Sequence, residues 1–338
     1  MDLRAPLHGE CGGDGASSTS NSDISAPWWE NNMSASSAID SRLYEKIIYC
    51  HLCRMYVASQ AMELGTESRF TGLVLFHRYV RQFYRSVQEK KHVQQTSREV
   101  MKQISAHLGT VAAACLFLGC KMEEEPRRIR DVINLSHILK FSFGDIEKSV
   151  PTANVDDSDA PTKKISSKHV TIIELPSPPP LDETYWIAKE QMVSTEQHVL
   201  RMIQFDTSVC HPHRCVLIIM EILGFGKGKY QSDVGGGGSE QRNWLLSPNQ
   251  SESLISRSWM LLNDASLDGK GVALQYPVIL LSCAAISLAD EGTINDSSNC
   301  NNGAAEVLIL PEFWWRELHL TDENFIIAKN ALQKRSGR

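Results

Sequence analysis

From Ile104 onward the chain spaces Ile104, Leu108, Val111, Ala112, Cys115 and Leu116 by threes and fours, then changes abruptly to Lys121-Met122-Glu123-Glu124-Glu125-Pro126. That spacing gives one helical face to a core, so the segment reads as a buried helix that stops at a charged turn. Val111 to Cys115 is alanine-rich, which lets a neighbouring backbone approach closely. The apolar stretch falls short of the ~20 residues a membrane span needs. Lys121 falls at the helix C-terminus, where a cation suits the dipole. Pro126 is expected in the first turn of a new helix whose amino end favours the three glutamates. A favourable charge at a helix end accounts for Lys121 without any partner; a contact to another molecule is the second reading.

A second helix is expected from about Tyr185 to Ile203, with Met192, Val193, Val199, Leu200 and Ile203 as its apolar stripe. At ~100° per residue Glu196 projects near the centre of that stripe. A carboxylate there loses hydration unless donors or a cation meet it. Either an internal ion pair or an intermolecular contact would satisfy it.

The 338 residues allow two modest domains or one large one, and 42% hydrophobic content suffices for packed cores. A formal charge of -6 disfavours broad nucleic-acid affinity, which needs clustered Lys and Arg on phosphates. Met1 to Met33 is rich in Gly, Ser and Asn and carries no secretory signal pattern. The nine cysteines, an odd number in apolar contexts, suit a reducing compartment, the nucleus or cytosol.

Periodicity organises the chain as helices and loops. Residues 1–36 read as a disordered tail. Helices follow through Leu43 to Leu64, stopping at Gly65, and through Leu73 to Val87; the third and fourth flank Lys121, and the helix of Glu196 closes a first half of residues 37–206. Inside that half, 141–182 reads as a loop insertion, with Val170 to Leu175 as a candidate loop strand. A second half, 207–338, opens at His211-Pro212 and carries loop insertions near 226–251 and 291–304. Helices are expected at Glu252 to Asp264, Val272 to Ala289, Glu312 to Leu318 and Asp322 to Lys334. Val278 to Ala285 echoes Val111 to Leu118, which suggests two similar helical domains in tandem.

Phe76-His77-Arg78-Tyr79 and Ala112 to Glu124, in successive helices, resemble the second and third helices of transcription-type cyclins. The resemblance implies an all-α fold of two tandem five-helix cyclin boxes with long loop insertions. It covers about residues 40 to 335, the insertions excepted. Arg130-Asp131-Val132-Ile133-Asn134, Leu200 to Phe205, His211-Pro212-His213 and Trp314-Trp315 most resemble the cyclin Q (cyclin M) branch, while cyclins L, K and T share the first-box motifs. A cyclin binds the amino lobe of a cyclin-dependent kinase and holds its regulatory helix inward, and the kinase does the chemistry. The family's kinase-binding lysine and glutamate map onto Lys121 and Glu196, and two neighbouring apolar positions onto Met122 and Phe205, for which core packing is the alternative. The implied partner is a cyclin-dependent kinase of the type served by cyclin Q, and the implied site of action is the nucleus. Cys53-Arg54-Met55-Tyr56-Val57 stands where cell-cycle cyclins carry a Met-Arg-Ala-Ile-Leu docking patch, so docking of Arg-x-Leu substrates is not expected.

Other constellations are weaker. Cys50-x-x-Cys53 and Cys210-His211-Pro212-His213-x-Cys215 offer zinc-ligand chemistry, but helix periodicity and helix capping explain both. Arg78, Arg81 and Arg85 share a helical face that reads as a solvated basic surface. Ser177-Pro178 and Ser247-Pro248 are candidate sites for a proline-directed kinase, and Arg4-x-x-Leu7 is too short a match to imply regulated degradation. No Walker loop, Gly-x-Ser-x-Gly, His-Glu-x-x-His or kinase catalytic-loop triplet is present. The chain is therefore expected to be no enzyme and to need no cofactor, metal, small-molecule ligand, nucleic acid or membrane. A promoter-binding factor of the transcription factor IIB type and a cyclin-fold scaffold that activates no kinase are the competing readings.

Overall fold

The computed structural model describes residues 41–89, 98–139, 146, 180–222, 248–298, 310 and 314–334. Among these the backbone is helical, with no strand. The elements are α1 (Ser41–Ala61), α2 (Thr66–Glu89), α3 (Arg98–Met122), α4 (Ile129–Ile138), α5 (Glu183–Met202), α6 (Pro212–Ile222), α7 (Pro248–Ser266), α8 (Val278–Ser298) and α9 (Asp322–Gln333), with short 3-10 turns at Val272–Leu274 and Trp314–Leu318. The expected tail, the strand at Val170 to Leu175, Ser177 and Ser247 lie outside the described residues.

Two apolar cores divide the chain. One gathers α1 to α5, from Leu43 to Ile203, around the central helix α3; the other gathers α6 to α9, from Val216 to Leu332, around α8. Each central helix is the one the sequence marks as small and apolar. Met101–Met122 is apolar and long enough to span a membrane by length and composition, longer than the stretch expected, yet most of it is buried within the protein. Its small residues serve packing. A Cβ on Gly119 would stand 2.5 Å from the Ser68 carbonyl oxygen and 2.7 Å from the Gly72 nitrogen, so the backbones of α2 and α3 touch there.

Helix ends correct several expectations. Gly65 is not the stop of α1. Glu63 takes the left-handed conformation at φ 54, and the Leu64 N–H bonds back to the Ser59 carbonyl. Similarly, Pro126 does not open α4, which starts at Ile129, and two of the glutamates before it, Glu123 and Glu125, serve α2 instead. The Glu125 carboxylate accepts from Gly65 N at 3.0 Å and from Ser68 Oγ at 2.6 Å, and so satisfies the start of α2. A carboxylate suits an N-terminus where backbone donors are unpaired. The stretch expected as loop also contributes Ile146, a helical residue buried in the first core. In the second half, α7 begins at Pro248 rather than past Ser251. The helix expected from Val272 starts at Val278 after a 3-10 turn and continues to Ser298, into the expected 291–304 loop. An ion pair between Glu291 and Lys329 of α9 favours that extension.

The halves meet along α2. His77 Nε2 donates to the Ser266 carbonyl at 3.0 Å, Arg214 of α6 pairs with Glu67, and Phe70 packs against the rings of His211 and His213. Burial holds the His213 imidazole down to about 4, and burial followed by the nearby Arg54 holds His51 down to about 4.

Two predictions follow from this packing. Gly119→Ala should lower stability by roughly 1–3 kcal/mol in urea unfolding, because the methyl meets backbone on both sides, which outweighs the helix propensity it adds. Stability should also fall as pH drops from about 6.5 to about 4, by up to about 1.4 kcal/mol per unit for each of His51 and His213. Between those values the unfolded chain binds protons that the folded chain excludes, so acid favours unfolding. Urea midpoints at pH 7 and pH 5 check the direction, and His51→Gln should reduce the difference.

Candidate functional site

The last turn of α3 and the third quarter of α5 bring Lys121 and Glu196 together. Lys121 Nζ lies 2.5 Å from Glu196 Oε1, although 75 positions separate them in sequence. Thus Glu196 has an internal ion-pair partner, Lys121. Its side chain is 13% exposed and that of Lys121 40% exposed, so the pair stands at the surface with its carboxylate tucked in. Lys121 Nζ also lies 4.3 Å from the centroid of the Phe117 ring, which steadies the cation against an apolar floor.

Met122 and Phe205 belong to neither core. They are 43% and 66% exposed, which removes core packing as the explanation for them. Of the stripe on α5, Met192, Val199 and Ile203 are buried in the first core, Leu200 is half-buried, and Val193 faces outward at 41% exposure.

Backbone geometry fixes both ends of the site. α3 and α5 close with the same motif, in which a residue enters the left-handed region and the next N–H bonds five residues back. Glu124 has φ 56 and Glu125 N bonds to Cys120 O at 2.9 Å; Gln204 has φ 55 and Phe205 N bonds to Leu200 O at 2.8 Å. Glycine usually takes such positions. Phe205 extends the departure with φ 58, so two consecutive side-chain-bearing residues are left-handed, at a cost of order 1–3 kcal/mol each. Arg78 of α2 offsets that strain by donating to the Asp206 carbonyl at 2.8 Å and pairing with its carboxylate at 3.3 Å. The turn therefore holds an exposed aromatic ring in place.

The turn after Lys121 is held as firmly. Glu123 Oε1 accepts from Thr71 Oγ1 at 2.7 Å and from His211 Nε2 at 3.1 Å, joining α2, the end of α3 and the start of α6. The sequence gives no signal for Thr71 in this role. His211, read there as a capping residue, is a buried polar link between the halves. Phe117, Arg78 and Asp206 were also not foreseen at the site; the lysine four positions after Phe117 is the one cue that a helical projection offers.

Of the basic face on α2, Arg78 is engaged by Asp206, while Arg81 is half-buried and Arg85 exposed. Cys50 and Cys53 are half-buried on α1, and Cys50 packs on the first core. Among the described residues no group of three or more His, Cys, Asp or Glu is placed to hold a metal ion.

Comparison with known proteins adds an independent line. Residues 52–208 match the family model described as cyclin, N-terminal domain. Human Cyclin-L1 is 28% identical over 244 residues, covering 72% of this chain and 32% of that protein. Rat Cyclin-L2 is 26% identical over 258 residues, covering 76% of this chain and 36% of that protein. The chain thus spans about a third of the length of these relatives. A solved chain in the yeast RNA polymerase II CTD kinase CTDK-1 complex superposes with a TM-score of 0.48 and 17% identity, over 88% of this chain and 67% of that one. Residues 52–208 are thus similar to the cyclin N-terminal domain, and the chain, helical among its described residues, shares distant similarity with cyclins L1 and L2.

Proposed function

We propose that this chain is the regulatory and activating subunit of a cyclin-dependent serine/threonine kinase. In this reading residues 37–206 and 207–338 are its two cyclin boxes, and the kinase amino lobe docks on Lys121, Met122, Glu196 and Phe205. One observation carries it: a paired lysine and glutamate stand at the surface, with exposed Met122 next to the lysine and exposed Phe205 in the turn that closes the glutamate's helix, neither claimed by a core.

The chemistry suits a protein backbone as ligand. A lysine ammonium has three donors and a carboxylate about four acceptor positions, so pairing leaves both with free capacity. Lys121 can then donate to carbonyls while Glu196 accepts from N–H groups of the same incoming segment. Because each charge already has a partner, covering the site does not strand either one. Met122 and Phe205 supply apolar area around the polar centre.

A kinase is competent when a strand lysine pairs with a glutamate on its regulatory helix. A subunit that grips that helix only in its inward position stabilises the competent state by its differential affinity. Moving such an equilibrium from 1:99 to 99:1 takes about 5.5 kcal/mol, within reach of a few well-packed anchors. The resemblance to cyclin Q favours a kinase of the type that branch serves, and nuclear action follows from the resemblance to transcription-type cyclins.

Affinity purification of the tagged chain from its own cells, beside Lys121→Ala/Glu196→Ala, tests the reading. We expect an active cyclin-dependent kinase with the wild type only. Each single variant should weaken the purified complex by roughly tenfold or more; Glu196→Ala should shift unfolding stability by less than about 1 kcal/mol, and Lys121→Ala, which leaves the tucked-in Glu196 carboxylate without its cation, should lower it by about 1–3 kcal/mol. Folded variants that activate the kinase like wild type would place the interface elsewhere. Recovery of no kinase with either version would replace this reading with a scaffold or promoter-binding role.

A further inference from the structure

A second polar cluster ties α2, α3 and α5 together. Tyr79 of α2 is fully buried, yet its hydroxyl meets two histidines that solvent reaches. His107 Nε2 of α3 stands 2.7 Å from that hydroxyl and His198 Nε2 of α5 stands 3.1 Å from it. The two imidazole centroids are 6.2 Å apart. Phe83 stacks on Tyr79 and lies 5.5 Å from the His107 ring, which steadies phenol and imidazole together. A buried hydroxyl needs one partner to offset its desolvation, and this phenol has two. One imidazole accepts the phenolic proton while the other donates to the phenolic oxygen. Neither ring has a carboxylate partner among the described residues. Two imidazole nitrogens from separate helices thus converge on one oxygen at the surface, and the need of Tyr79 explains only one of them.

We infer that His107 and His198 bind a zinc ion, with the Tyr79 oxygen as a third, neutral donor and water as the fourth. Imidazole is the commonest protein ligand for such a metal, and three protein donors with one open position match an accessible zinc site. Magnesium and calcium favour carboxylate oxygens, which this set lacks. Zinc–nitrogen bonds of about 2.0–2.1 Å place the two nitrogens roughly 3.3 Å apart. Both rings are exposed, so rotation about their side-chain torsions brings the nitrogens together without disturbing a core. The imidazole that donates passes its proton to Nδ1 through solvent, and the phenolic O–H turns to water, so binding needs no net loss of protons. Burial, and then the neighbouring His198, hold the His107 imidazole below its ordinary range, which favours the neutral form that ligates. A bound ion ties α3 to α5, the helices that carry Lys121 and Glu196.

The nine cysteines are competing zinc ligands, so the test separates nitrogen from sulfur. The full chain, stripped with a chelator, is titrated with ZnCl2 by calorimetry. We expect binding in the micromolar range and a rise of a few degrees in melting temperature that MgCl2 does not reproduce. His107→Gln and His198→Gln should each weaken that binding by about tenfold or more. Because both rings are exposed, the metal-free melting temperature should stay within a few degrees. Cobalt(II) gives a second readout. The wild type should show a visible d–d band without thiolate-to-metal charge transfer, and His198→Cys should add the charge-transfer band. Zinc binding that neither Gln variant weakens, or a wild-type charge-transfer band that His107→Gln leaves intact, would assign the metal to cysteines and overturn the proposal. Absence of binding at millimolar zinc would overturn it too, leaving the two histidines as a hydrogen-bonded seat for Tyr79.

Discussion

The contact between α2 and α3 at Gly72 and Gly119 sets the position of almost everything else in the first half. No side chain separates the two backbones there: a Cβ on Gly119 would overlap Ser68 O and Gly72 N. Interiors are packed densely enough that a gap or excess of one methyl group is felt. The crossing therefore fixes how far α3 projects past α2, and with it where Lys121, two residues beyond Gly119, emerges. A larger residue at this crossing would force the two backbones apart and shift where Lys121 emerges.

Polar groups then lock what the apolar crossing places. Glu125 holds the start of α2, and Glu123 ties the same helix to the end of α3 and, through His211, to the second half. The bonds of Glu123 are partly shielded, and a buried polar group left without a partner costs more than a made bond gains. Their effect is chiefly to specify one arrangement. The turn that carries the exposed lysine is thereby tied to the junction between the two halves, so movement at that junction bears on the site.

Strain and exposure coincide at the other end of the site. Gln204 and Phe205 adopt a conformation that glycine would hold more easily, and Phe205 gives its ring to solvent rather than to a core. Folding alone does not reward that arrangement, whereas an apolar surface laid over it would.

Sequence by itself determined that the chain is largely helical, that Val111–Leu118 and Val278–Ala285 are matching small, apolar helical segments, and that Glu196 requires a partner, because periodicity and the cost of burying a lone charge are local properties. It also marked Lys121, Met122, Glu196 and Phe205 as candidates through their resemblance to a known pattern. Only the tertiary structure decided that the partner of Glu196 is Lys121, that Glu123 and Glu125 serve α2 and not α4, and that Gly65 donates to a carboxylate where a helix stop was expected. Each of these outcomes joins residues more than 50 positions apart. Which distant helix end comes within bonding distance depends on how the helices cross, and that is set by the packing of whole faces, which no single segment encodes.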